Sequence, residues 1–308
     1  MLEHVKKPKG LSKLAKQEAR TAYLLLIPAF LGLSLLTYIP LLAVFVIGFF
    51  RWSAASVSPP VFIGFANYIQ LFTSDPFFTD SIRVTVIFSL MAVAGSLVYS
   101  LFIAMILNRK IPARTFWRAV FYLPYILPSV AVYVGWMWLY ESNFGLFNYI
   151  LSELGFNKIA FLINSRSVLP SLALISVWMS GNLIVIFLAG LQNVPRIYHE
   201  AAEVDGANWW QRFRNVTIPC MTPIIFYNLL MSLITNMQII VPALAVTEGG
   251  PGNSSMFMTY LMYRTAFRRG NIGYGSAMAF VFFIIIAVFT AILFATSKSW
   301  IFYEGDAK

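Results

Sequence analysis

Of 308 residues, 59% are hydrophobic, 17% aromatic and only 11% charged, with a mean hydropathy of +0.74; a soluble domain carries about a quarter charged residues, so a soluble fold is excluded. The formal net charge of +10 would suggest nucleic acid in a soluble chain, but here the basic residues flank apolar segments and set orientation instead, so no nucleic-acid partner is expected. The single cysteine, Cys220, can form no internal disulfide and His4 and His199 stand far apart, so neither redox nor metal chemistry is expected.

A bilayer core of about 30 Å takes about 20 apolar residues at 1.5 Å rise each, and the chain supplies six such segments. The predicted fold is therefore an all-α membrane protein of about six transmembrane helices. Met1 to Arg20 is a basic leader with Lys6, Lys7, Lys9, Lys13, Lys16 and Arg20. Span one is predicted over Thr21 to Phe50, longer than needed and carrying Pro28 and Pro40, so a kink or tilt is expected to absorb the excess. Arg51 to Asp80 reads as an outer loop. Span two covers Ser81 to Leu107, where Ala92, Ser96, Ser100 and Ala104 form a four-residue seam that lets another helix approach closely; the partner lies either in this chain or across a subunit interface.

A short basic loop, Asn108 to Arg118, leads to span three, Ala119 to Tyr140, with Pro124 and Pro128 in its first turns. Glu141 to Ser167 reads as an outer connection with a surface helix around Phe147 to Leu154. Span four is Val168 to Leu191, a polar loop occupies 192–218, span five is Pro219 to Leu244, and Val246 to Asn271 is a second outer loop. Span six is Ile272 to Ser297, which sets the membrane domain at 21–298 and leaves a short tail over 299–308. By this topology fifteen of the 22 Lys and Arg residues lie on the inner side, so both termini are predicted cytoplasmic.

No Gly-Lys-Ser or Gly-Lys-Thr occurs, so the chain has no phosphate-binding loop and is not expected to hydrolyse a nucleotide or bind a cofactor itself. The spans are almost free of charge at mid-depth, which weighs against an ion-coupled secondary carrier, although sodium can be held by carbonyls and hydroxyls.

The polar loop is the informative break. Pro195 suits a first helical turn; Ile197, Ala201 and Val204 share one face; Gly206 suits a C-cap. Asn208 is placed to cap a second short helix with Trp209, Trp210 and Phe213. Small Ala201 and Ala202 let the first helix enter a cleft, while Glu200, Glu203 and Asp205 offer carboxylates to a basic partner. A helix lying on lipid is the alternative, but such helices favour Lys and Arg on the polar face.

Glu200-Ala201-Ala202, then Asp205-Gly206-Ala207, Phe213, Ile218-Pro219 and Pro223 resemble the cytoplasmic loop of the membrane subunits of bacterial binding-protein-dependent ABC importers. Thr247-Glu248-Gly249-Gly250-Pro251, Tyr260, Tyr263 and Gly273-Tyr274-Gly275-Ser276-Ala277 resemble the carbohydrate importers, in the class of the maltose F-type, lactose F-type and glycerol-phosphate A-type permeases. Phe65-Ala66-Asn67-Tyr68 and Phe121-Tyr122-Leu123-Pro124 fit the same pattern.

This resemblance implies a type I ABC importer transmembrane domain in the bacterial cytoplasmic membrane. It implies pairing with a second, different permease subunit, two cytoplasmic ATPases that bind ATP and Mg, and an extracytoplasmic solute-binding protein that faces Gly249, Gly250 and Pro251. Glu200, Ala201, Ala202, Asp205, Gly206 and Ala207 would form the ATPase-coupling helix. Asn236 and Gln238 in span five, and Trp178, Ser180 and Asn182 in span four, would meet a carbohydrate substrate: amides donate to and accept from hydroxyls, and Trp gives a flat apolar face. An Asn or Gln in a span can equally bond a neighbouring helix. A non-sugar solute such as a polyamine or glycerol phosphate is the alternative cargo.

Overall fold

The computed structural model describes residues 13–54 and 58–302. Residues 1–12 of the basic leader and 303–308 of the tail lie outside the described residues. The first helix, α1 (Lys13–Leu33), passes through a π-helical segment, Ser34–Tyr38, into α2 (Ile39–Ile47). Pro40 offers no N–H and its ring crowds the carbonyl four residues back, so the widened turn directly before it takes up the misfit. The helix thus includes the second half of the leader and ends before Phe50. Its apolar window has 0% of its residues buried, so this long rod lies along the outside of the bundle.

The segment read as an outer loop is ordered by short elements. Strand β1 (Phe50–Arg51) pairs antiparallel with β2 (Val61–Phe62), Phe50 opposite Phe62, and α3 (Ala66–Thr73) follows. Asn67 ties them together by donating its amide to Gly48 O at 2.9 Å and Phe50 O at 3.0 Å. Asp75 then caps α4 (Pro76–Asn108) by accepting from the Phe77 and Phe78 amides, with Pro76 at the first helical position, where no donor is needed.

Helix α4 is the central post. Ala92, Ser96, Ser100 and Ala104 are all buried, and the seam packs inside this chain. Gly95 brings α4 so close to the next long segment that a Cβ there would lie 2.7 Å from Val177, and Ser100 Oγ sits 2.8 Å from Ser180 Oγ.

Span three is a correction. Its residues form α5 (Arg114–Ile126) and α6 (Ser129–Leu139), bent by 97°, because Pro128 pushes Leu127 into an extended conformation, φ −65° and ψ 145°. The connection after it carries α7 (Leu146–Glu153), as expected. Span four is likewise α8 (Val168–Trp178) and α9 (Gly181–Asn193), bent by 49°. Glycine at 181 lets α9 press on the backbone of α5, where a Cβ would meet Phe121 O at 2.8 Å.

Next come α10 (Arg196–Val204) and α11 (Trp209–Arg212). The latter runs on through a π segment, Phe213–Thr217, into α12 (Ile218–Met237), so the fifth span begins at Trp209 and stops short of the predicted Leu244. The second supposed outer loop is the largest correction. A π segment (Ala243–Thr247) runs into it; it holds α13 (Met258–Tyr263) and a π segment (Arg264–Arg268), and Met256, Phe257, Met258, Tyr260 and Leu261 are buried. Phe257 meets the Phe88 ring at 4.9 Å and the Met258 amide donates to Thr85 Oγ1 at 2.9 Å, so the segment folds inward onto α4. The last helix, α14 (Ile272–Ser297), has the predicted bounds. Among the described residues four helices are long and apolar enough to cross a membrane, and the number is six if each bent pair is one span.

Two apolar clusters fill the bundle. One, at the end holding α3, α7 and α13, gathers Phe88, Ala92 and Val93 of α4, Ile175 of α8, and Leu233 and Met237 of α12. The other, at the α10 end, gathers Ile103, Ala104 and Leu107 of α4, Ile184 and Phe187 of α9, and Met221 of α12.

Candidate functional site

The polar loop folds as an elbow closed by short-range bonds. Gly206 sits at φ +76°, a region that costs a side chain strain but glycine nothing. From there its amide donates to Glu203 O at 3.0 Å and the Ala207 amide to Ala202 O at 2.9 Å. This pair of bonds satisfies the last carbonyls of α10 and stops the helix. Asn208 and Gln211 then cap α11 reciprocally, at 2.9 and 2.7 Å. Glu203 forms an ion pair with Arg212 across the turn, and Trp209 stacks on Phe213 at 5.7 Å.

No residue of α10 is buried. The predicted face is present but uncovered: Val204 is 88% and Ile197 67% exposed, and Ala201 is exposed, as are Glu200, Asp205 and Gly206. Ala202 and Ala207 are half-buried. The helix thus presents an apolar stripe bordered by the carboxylates of Glu200 and Asp205, and its end is closed by the two bonds. Glu203 differs from its neighbours, because its carboxylate is already engaged by Arg212. Beneath α10 lies a cavity of about 230 Å³ walled by Pro195, Tyr198, Cys220 and Phe302, and the Phe302 amide donates to Thr222 Oγ1 at 2.9 Å.

The span residues fall into two groups. Trp178 ends α8, half-buried, its ring 5.5 Å from that of Trp136, and it packs on the same apolar cluster as Leu233 and Met237. Asn236 lies in the last turn of α12, half-buried, donating to Ser232 O at 2.8 Å and Ser232 Oγ at 3.2 Å. Gln238 is the exposed C-cap of α12, and Asn182 is half-buried in the first turn of α9. Ser180 is different: it is 6% exposed, and its hydroxyl donates to Val177 O at 2.6 Å beside Ser100. Its chemistry is spent on helix packing. The polar residues that sequence reading passed over are Asn228 and Ser232, 0% and 6% exposed. With Asn236 they recur every four residues on one face of α12, a spacing visible in the sequence.

Gly249-Gly250-Pro251 form a tight loop. Glu248, Gly249, Gly252 and Asn253 all have positive φ, and the Gly250–Pro251 peptide is cis. Gly249 is buried, and a Cβ there would lie 2.3 Å from Met256 Cε. Ser255 Oγ braces the loop at 2.6 Å from Gly250 O. Beside it opens a cavity of about 380 Å³ lined by Met137, Glu141, Leu162, Val246 and Pro251 among others. The Phe144 amide above all, with those of Asn143 and Ser142, holds the Glu141 carboxyl below the usual carboxylate range. Among the described residues no three His, Cys, Asp or Glu side chains converge as metal ligands.

Comparison with known proteins gives this geometry a setting. The chain is 38% identical over 298 residues to the probable ABC transporter permease protein YesP of Bacillus subtilis (strain 168), covering 96% of each. It is 29% identical to the trehalose/maltose transport system permease protein MalF of Thermococcus litoralis, over 91% of this chain and 95% of that one. To the sulfoquinovosyl glycerol transport system permease protein SmoG of Agrobacterium fabrum it is 32% identical over 88% of each. Its fold matches a chain of a bacterial ABC transporter involved in the import of the acidic polysaccharide alginate, with a TM-score of 0.78 at 20% identity, over 94% of this chain and 99% of that one. Residues 94–299 match the family of binding-protein-dependent transport system inner membrane components, a match that spans α4 to α14 with the elbow at its centre, and the chain belongs to that family of ABC permeases.

Proposed function

We propose that this chain is the membrane-spanning permease subunit of an ATP-driven importer for a sugar or oligosaccharide. The observation that carries the reading is α10, a closed helix whose apolar stripe, Glu200 and Asp205 are exposed among the described residues. ATP and Mg belong on two cytoplasmic ATPases that dock there, with Glu200, Ala201, Ala202, Asp205, Gly206 and Ala207 as the contact. The permease itself catalyses no reaction. A second, different permease covers the exposed rod of α1 and α2, and a solute-binding protein meets the Gly249-Gly250-Pro251 loop on the far side, which leaves both termini cytoplasmic. Trp178, Asn182, Asn236 and Gln238 line the solute path. The sugar class is supported by relatives named for trehalose/maltose and sulfoquinovosyl glycerol transport and by the chemistry of these side chains, since amides donate to and accept from hydroxyls and an indole gives a flat apolar face.

Purification in mild detergent tests the reading. An ATPase is expected at one copy per permease, and Glu200→Lys is expected to release it while the permease stays in the membrane. Absence of any ATPase, with uptake persisting under an ion gradient alone, would replace the importer by a secondary carrier.

A further inference from the structure

Along each central helix, buried polar side chains fall between the residues of one apolar cluster and those of the other, and they form a polar layer at that level of the bundle. On α4, Ser96 and Ser100, 2% and 0% exposed, lie between Val93 of one cluster and Ile103 of the other. Ser180, between Ile175 and Ile184, marks the 49° break of α8 and α9. On α12, Asn228 lies between Met221 and Leu233, and half-buried Leu97 packs against both clusters. Ser100 and Ser180 bond across the layer at 2.8 Å.

Asn228 is the misfit. It is 0% exposed, and neither its Oδ1 nor its Nδ2 has a hydrogen-bond partner. The position does not force this: Asn236, two turns along the same face, bonds the carbonyl four residues back, and Asn228 does not. A fully buried amide with both ends unpaired works against the conformation that contains it, and an apolar side chain of that size would fit better. A transporter needs such differences, because two conformations are interconverted only by interactions unequal between them. We propose that the polar layer is the pivot about which the two halves of the bundle move, and that Asn228 is a positioning residue that favours the alternate conformation by gaining there the hydrogen bonds it lacks here. This rests on the transport reading, since it requires a chain that alternates between two states.

The test uses the whole complex, reconstituted with its ATPases and binding protein, carrying Asn228→Leu. Uptake is expected to fall at least tenfold, with the ATPase still bound and the thermal midpoint equal or higher. Maleimide labelling of Cys220, the single cysteine of this chain, reports the motion: labelling in the parent complex is expected to change between ATP and ADP, and Asn228→Leu to abolish the change. Uptake within twofold of the parent, a lowered midpoint with labelling still nucleotide-dependent, or labelling of the parent indifferent to nucleotide would each overturn the pivot. If the Leu variant does not assemble, Asn228→Ser, which removes the amide and adds no bulk, must give the same loss. Failure of both to assemble would mark Asn228 as a structural residue and overturn the proposal. Loss of the ATPase from the parent complex would instead overturn the importer reading.

Discussion

The elbow at 195–217 and the segment at 238–271 sit at opposite ends of α12 and are held by opposite means. In the elbow the bonds that shape the turn close within about ten residues: Ala207 to Ala202, Asn208 with Gln211, Glu203 with Arg212. In the far segment the anchors are distant in the chain, Met258 to Thr85 and Phe257 on Phe88, and the same holds where Tyr274 donates to Asp75 at 2.7 Å. Local closure fixes a shape without using its outer surface, which stays free for another protein. Long-range closure uses the surface up and makes core. Substitutions in the elbow should therefore change coupling and spare the fold, and substitutions in the far segment should do the reverse.

The largest expected effect is Gly206→Val. At φ +76° a β-branched residue is strained by about 1–2 kcal/mol, although no atom lies within 4 Å of its Cβ. Uptake should fall at least tenfold, with membrane abundance unchanged on immunoblots. A collapse in abundance would show that the elbow supports the fold and break the contrast. Asn236→Ala stands between the two regions, at the end of the rod that leaves the elbow. Losing one neutral hydrogen bond to solute costs about 0.5–1.5 kcal/mol, so KM for uptake should rise up to roughly tenfold while ATPase binding stays normal. An unchanged KM would remove Asn236 from the solute path.

Gly249→Ala probes the far side. The added methyl would press on Met256, itself 2% exposed, at φ +88°, and overpacking of this kind costs about 1–3 kcal/mol. The thermal midpoint should drop by several degrees with ATPase binding unchanged, whereas a normal midpoint would show that the packing of this loop on Met256 does not support the fold and would break the contrast.

The same contrast decides what could be read beforehand. Gly206 as a helix stop and Asn208 with Gln211 as a cap are spacing rules within one turn, so they are visible in a bare sequence. Span six is a single uninterrupted apolar run with a cap at Asn271, and its bounds were equally plain. Pro124 and Pro128 read as residues of the first turns of one span, and the 97° bend was not legible, because the angle is set by what α5 and α6 pack against. The burial of Phe257 was hidden for a different reason: a Gly- and Pro-rich stretch looks like a surface loop until its aromatic partner, 169 positions earlier at Phe88, is known. Ser180 resembled a solute ligand because a serine near a helix break reads the same whether its hydroxyl faces a path or Ser100. Nothing local distinguishes Asn228, unbonded, from Asn236, bonded.

The smallest expected effect tests whether the elbow moves as one piece with α12. Glu203 and Arg212 stand on either side of the turn, with side chains 61% and 24% exposed, so their attraction contributes at most about 1 kcal/mol, a factor of roughly five. Stability should hardly register its loss. Its direction matters more, because Arg212 belongs to the helix that continues without interruption to Asn236, whereas Glu203 belongs to the docking helix. Arg212→Glu and Glu203→Arg each place like charges across the turn and should lower sugar taken up per ATP hydrolysed by roughly two- to fivefold. The exchanged pair, Glu203→Arg with Arg212→Glu, restores the attraction with its sign reversed, and the ratio should recover to near the parent value. Were Glu203 a docking carboxylate instead, the exchange would leave the partner's basic rim facing an arginine, and the double variant would be no better than Glu203→Arg alone.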